Sequence, residues 1–157
     1  MAYSEKISTD IEHYLTKKDW QHSYDAIRGV FTVEADLSCQ LGTALLLFSV
    51  QEDGFLCYAA LPINIPVDAR SSVGEYLHRA NFGLPNGNFE FDYDEGSIHF
   101  KIWTACPGEL VSDAQIDDCF AIALTVIDRY GNGLKEVAEH AVSFSKRIID
   151  ALDESIR

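Results

Sequence analysis

Basic residues are scarce in this chain. Only 12 Lys and Arg stand against 25 Asp and Glu over 157 positions, a formal charge of −13. A surface this acidic repels phosphate backbones and anionic lipid, so neither nucleic acid nor a membrane surface is an expected partner. Proline (4) and glycine (10) are too few for collagenous or low-complexity sequence, and 47% apolar residues is too many for a disordered chain. Long hydrophobic runs are missing too. The most apolar stretch, Ala44 to Val50, is far shorter than the ~20 residues of a membrane-spanning helix. The opening residues Met1 to Ile7 lack the basic region and apolar run of a signal peptide, and a cytoplasmic location is expected.

Sequence motifs for chemistry are equally thin. The cysteines, Cys39, Cys57, Cys106 and Cys119, lie 18, 49 and 13 positions apart, which fits neither a zinc site nor a C-x-x-C redox motif. Small buried thiols are the expected reading. There is no Gly-x-Ser-x-Gly elbow, Walker loop, Gly-x-Gly-x-x-Gly or His-Glu-x-x-His. Asp92, Asp94 and Gly96 echo a calcium loop, but the fifth position has no acid and Trp103 stands where the bidentate Glu belongs. His13, His22, His78, His99 and His140 form no pair at ligand spacing, and His99 is expected to face Glu90 or Asp92 across a hairpin. Asp113, Asp117 and Asp118 fall in the first turns of a helix, where the dipole favours them. No catalytic residue, metal or cofactor is assigned, and no enzyme is expected.

What is present is secondary-structure pattern, consistent with a single domain over 1–157. Ile7, Ile11, Tyr14 and Leu15 mark a helix over about 4–17. Strands are expected around Val30 to Leu37, with Gly29 as a bulge or turn and Ile27 among the strand residues, then over 42–51 and 55–61, with a turn at Glu52 to Gly54 and Pro62 closing the segment. Val73, Tyr76, Leu77 and Ala80 resume helical spacing over about 68–81. A second hairpin alternates with period two, placing Phe89, Phe91, Tyr93, Ile98, Phe100 and Ile102 on one buried face, and Phe91→Ala is expected to cost on the order of 3–5 kcal/mol. Ser112 and Gln115 read as a capping box for a C-terminal helix, which the Gly131-Asn132-Gly133 run is expected to break or strongly kink. The fold class is α+β: an antiparallel sheet covered by helices, in the order α-β-β-β-(β)-α-β-β-α(α).

The stretch from Tyr76 to Phe100 carries a resemblance. A helix ending Leu77-x-x-x-Asn81, a short loop, Gly87-x-Phe89 opening a strand, an acidic turn at Asp94 to Gly96 and Ile98-x-Phe100 resemble the YbjN-type family of bacterial sensory transduction regulators. The resemblance implies the fold of type III secretion (Tir-type) chaperones and a protein-binding or regulatory role, with no catalytic residues to carry over. The chain continues after Gly131 past the shortest form of that pattern.

The leading expectation is a non-enzymatic module, chaperone-like or regulatory, that binds a polypeptide over an exposed sheet face or apolar groove. Trp20, Tyr24, Phe31, Phe48, Tyr58 and Trp103 are the aromatics available for it, each with packing in the core as the alternative. A small-ligand sensor or an enzyme with an unrecognised site is the competing reading. Asn81 is a candidate cleft residue, or else an amide satisfying main-chain groups at the helix end. The helix from Leu134 to Leu152 has more apolar positions than one narrow stripe needs, so a homodimer through Val137, Ala141, Phe144 and Ile148 is expected, against packing onto its own sheet.

Overall fold

A computed structural model describes residues 2–140 and 145–155, the side chains of 145–148 excepted. Helix α1 (Glu5–Lys17) leads into four strands, β1 (His22–Asp25), β2 (Val30–Asp36), β3 (Thr43–Val50) and β4 (Gly54–Asn64). Then follow α2 (Arg70–Asn81), the hairpin β5 (Asn88–Phe91) and β6 (Ser97–Ala105), and helices α3 (Asp113–His140) and α4 (Ser145–Glu154). All six strands form one antiparallel sheet in the order β1-β2-β3-β4-β6-β5. The fold is α+β.

Local chemistry accounts for the elements. Ser4 caps α1, its Oγ accepting from Ile7 N at 3.1 Å, and Ile7, Ile11, Tyr14 and Leu15 turn the apolar face inward. Ser112 and Gln115 form the expected capping box: Ser112 Oγ accepts from Gln115 N at 3.2 Å, and Gln115 Oε1 accepts from Ser112 N at 2.8 Å. Arg70 locks the β5–β6 turn to the end of β4, donating to the carbonyls of Ile65, Tyr93 and Asp94 at 2.7–3.0 Å.

Burial alternates along every long strand. Phe31, Val33 and Ala35, then Ala44, Leu46, Phe48 and Val50, then Phe55, Cys57 and Ala59, then Ile98, Phe100 and Ile102 all point into one core shared with α1, α2 and α3. The intervening positions are half-buried or exposed. Among the described residues, helices therefore pack on one face of the sheet only.

Several expectations need correction. The strand does not end at Pro62: β4 runs on to Asn64, and a register shift between Ala60 and Asn64 takes the donorless residue out of the ladder. Ile27 is not in a strand but exposed in the β1–β2 turn, where Asp25 Oδ1 accepts from the N–H groups of Ile27 and Arg28. Tyr93 is 56% exposed in the β5–β6 turn, its ring against that of the half-buried Phe91. Helix α3 passes through Gly131 without a break. Gly131 is there for close approach, because a Cβ on it would lie 2.5 Å from Cys39 Sγ in the β2–β3 loop. The same loop is held by α3 side chains. Asp128 Oδ1 accepts from Ser38 N at 2.7 Å and Cys39 N at 3.0 Å, and Asn132 Oδ1 accepts from Gln40 N at 2.8 Å.

Candidate functional site

One-sided packing leaves the other face of the sheet to be accounted for. Its side chains come from alternate positions of the same strands, and in the middle of the sheet most of them are apolar. The register sets them in three rows. Leu45 faces Ala60, which faces His99; Leu47 faces Tyr58, which faces Lys101; Ser49 faces Leu56, which faces Trp103. Neighbouring strands lie ~4.8 Å apart, so β3, β4 and β6 carry a patch roughly 10 Å across. Leu45 is 42% and Trp103 45% exposed, and Leu47, Leu56 and Tyr58 are half-buried by one another and not by the core. The other large exposed apolar side chains among the described residues, Ile27, Val67, Phe82, Tyr93 and Leu110, lie outside the strands.

A polar cluster borders the patch on the β5 side. The Glu90 carboxylate accepts from His99 Nε2 at 2.6 Å and from Lys101 Nζ, and Tyr58 meets the His99 ring edge-on at 5.1 Å. Burial alone would raise the Glu90 pKa, but the Lys101 and His99 hydrogen bonds outweigh it and hold the carboxyl below its ordinary range. The Glu90 bond in turn raises Lys101. This is the cross-strand pairing expected for His99, with Lys101 added to it.

Asn81 lines a cavity of about 330 Å³ with His78, Arg79 and Phe82, but its amide is already engaged. Its carboxamide binds the main chain of Phe89 on the outer edge of β5, which is the structural reading of that residue. Of the aromatics considered for binding, Phe31 and Phe48 are fully buried, Tyr24 stacks on Phe31 at 4.3 Å, and Trp20 stacks on Phe120 at 4.6 Å. Tyr58 and Trp103 alone reach the open face. Val137 is fully buried within the chain. Ala141 and Phe144 lie outside the described residues, as does the side chain of Ile148.

The four thiols are free and buried. The neighbouring Cys119 thiol and burial push Cys57 well above an ordinary thiol, while Thr104 Oγ1 lies 3.3 Å from Cys119 Sγ. Asp92 caps its own turn, accepting from Asp94 N at 2.8 Å and Glu95 N at 3.0 Å. Among the described residues no group of three His, Cys, Asp or Glu could hold a metal, and no helix is long and apolar enough to cross a membrane. A groove of about 490 Å³ between α1 and α3 is lined by Tyr14, Trp20, Asp117, Phe120 and Leu124 among others, but Tyr14 already donates to Asp117 across it at 2.5 Å.

An antiparallel sheet with helices on one side commonly leaves its other face open to solvent, and here that face carries an apolar patch. The family model described as "YbjN: Putative bacterial sensory transduction regulator" matches residues 8–136, and the chain belongs to that family. The match takes in most of α1, the whole sheet, α2 and most of α3, and leaves α4 outside. No curated protein matches the chain.

Proposed function

We propose that the protein is a non-enzymatic regulator, chaperone-like in mode, that works by binding a polypeptide partner on the open face of its sheet. Its family is described in terms of regulation, which agrees with this reading. The observation that carries it is the patch of Leu45, Leu47, Leu56, Tyr58 and Trp103, apolar side chains held at the centre of a sheet yet outside the core. Leaving such a patch in water costs free energy at roughly 25 cal/mol per Å². A partly exposed apolar cluster rimmed by polar groups is the kind of surface on which partners dock.

The reading is tested by a photo-crosslinking amino acid at position 45, compared with the same residue at position 139 on the exposed side of α3. Polypeptide crosslinks in the native cell are expected at 45 and not at 139. Excess purified protein should compete them away, and excess Trp103→Ser should not. Crosslinks of equal yield at both positions, or equal competition by the variant, would remove the open face as the binding site.

A further inference from the structure

We propose that the occupant of this face is an amphipathic α-helix of a partner protein, apolar along one stripe and flanked by Lys and Arg. The proposal rests on the reading above and names the partner's chemistry.

The first argument is main-chain accounting. An extended segment lying across a sheet face has no ladder to join, so its N–H and C=O groups lose water without gaining partners. A helix satisfies those groups internally and brings only side chains to the contact. Its diameter of about 10–12 Å is enough to cover the apolar band, which runs diagonally from Leu45 and Leu47 on β3 through Tyr58 and Leu56 on β4 to Trp103 on β6. The opposite face of this sheet already packs on helices through the same alternation of positions.

The second argument is charge. Glu34 and Asp36 border the patch on β2, and Glu52 and Asp53 sit in the β3–β4 turn at the Trp103 end. Among the described residues no cation pairs with any of these four. Lys101, the cation in the rows of the face, is already engaged by Glu90. An occupant with basic flanks meets unpaired carboxylates, which favours both encounter and register. A second copy of the chain would bring −13 against −13 and the same acidic margins together.

The third is an anchor. The Trp103 ring rests against Gly54, where an added Cβ would come within 2.6 Å of it. The main chain braces one side of the ring and solvent bathes the other. A large aromatic held this way costs little side-chain entropy on binding and is the residue type that dominates interface energetics.

The test uses the full-length protein and three synthetic peptides of equal length. One carries Leu at helical spacing with Lys flanks, one the same Leu pattern with Glu flanks, and one Leu alternating with Lys as in a strand. Binding is read by Trp103 emission in a Trp20→Phe background. The Leu/Lys helix is expected to bind at least about tenfold tighter than the other two, to weaken as salt rises, and to lose about tenfold or more with Leu45→Ser or with Glu34→Gln plus Asp36→Asn. Equal binding of the acidic or the alternating peptide, or no binding of the Leu/Lys helix, overturns the cationic helix. The crosslinking result then says separately whether the docking face survives. A light-scattering mass twice 17.5 kDa that reverts with Leu45→Asp would give the face to a second copy and overturn the proposal.

Discussion

The Asn81 side chain takes the place of a neighbouring strand for Phe89, its Oδ1 accepting from Phe89 N at 2.7 Å and its Nδ2 donating to Phe89 O at 3.0 Å. The last residue of α2 thereby closes the outer edge of β5, which would otherwise offer unpaired groups to another chain. Asn81→Asp keeps an acceptor for the N–H but sets a carboxylate against the Phe89 carbonyl. A loss of about 1–3 kcal/mol in denaturant titration is expected, with faster amide exchange at Phe89. Asn81→Ala should lose a similar amount and gain a tendency to self-associate. An unchanged midpoint in both variants would mean the edge is held by something else.

The two faces of the β5–β6 hairpin separate a core aromatic from a marginal one. Phe100 is fully buried and meets Phe89 edge-on at 5.1 Å, while Phe91 on the edge strand is only half-buried beneath the ring of Tyr93. Phe100→Ala is therefore expected to cost about 3–5 kcal/mol, and Phe91→Ala about 1–2 kcal/mol. Chemical denaturation of the two variants checks the order. A larger loss at Phe91 would put the hairpin in the wrong place on the helices.

Much of this was legible in the sequence because strand alternation and helical spacing are local. The hairpins, the capping box, helices α1 and α2 and the pairing of His99 with Glu90 all follow from residues within a few positions of one another. The open apolar face was less so. Its signal was present in Thr43 to Val50, where Leu45 and Leu47 make the strand apolar on both faces and so suggest burial on both. Which face stays open depends on where the helices land, and that is a tertiary fact. Gly131 misled for the same reason. A glycine in a helical pattern reads as a break until the residue that needs the space, Cys39, is known to sit 92 positions earlier in the chain and against it. The edge-closing role of Asn81 required knowing that α2 ends beside β5.

Glu90 makes part of the hairpin's stability depend on pH. Its folded-state pKa lies below the ordinary 4.5, because hydrogen bonds from Lys101 and His99 overcome the effect of burial. A depressed carboxyl pKa stabilises the folded state at pH above the unfolded value, and that contribution disappears as pH falls through the folded value. Stability should thus decline below about pH 4.5 partly through this group, and Glu90→Gln should flatten that part of the curve while leaving the fold intact. A carboxyl NMR titration placing Glu90 at or above 4.5 would contradict it.

The contact between Gly131 and Cys39 offers a test in which two general rules disagree. By helix propensity, Gly131→Ala in the interior of α3 should stabilise by roughly 0.5–1 kcal/mol. By packing, the new methyl would lie 2.5 Å from Cys39 Sγ and 3.1 Å from Leu41 Cδ1, in a loop that Asp128 and Asn132 hold in place through its main-chain N–H groups. That loop cannot retreat without giving up those hydrogen bonds, so packing should win, with a net loss of about 1–3 kcal/mol. Removing the sulfur relieves the clash. The double variant Gly131→Ala with Cys39→Ala is expected to recover most of the loss, giving a favourable coupling of about 1 kcal/mol or more between two residues joined only by this contact. Thermal or denaturant unfolding of the four proteins in the cycle measures it. Additive effects, or a stabilised Gly131→Ala, would mean that the glycine serves some need other than room for Cys39.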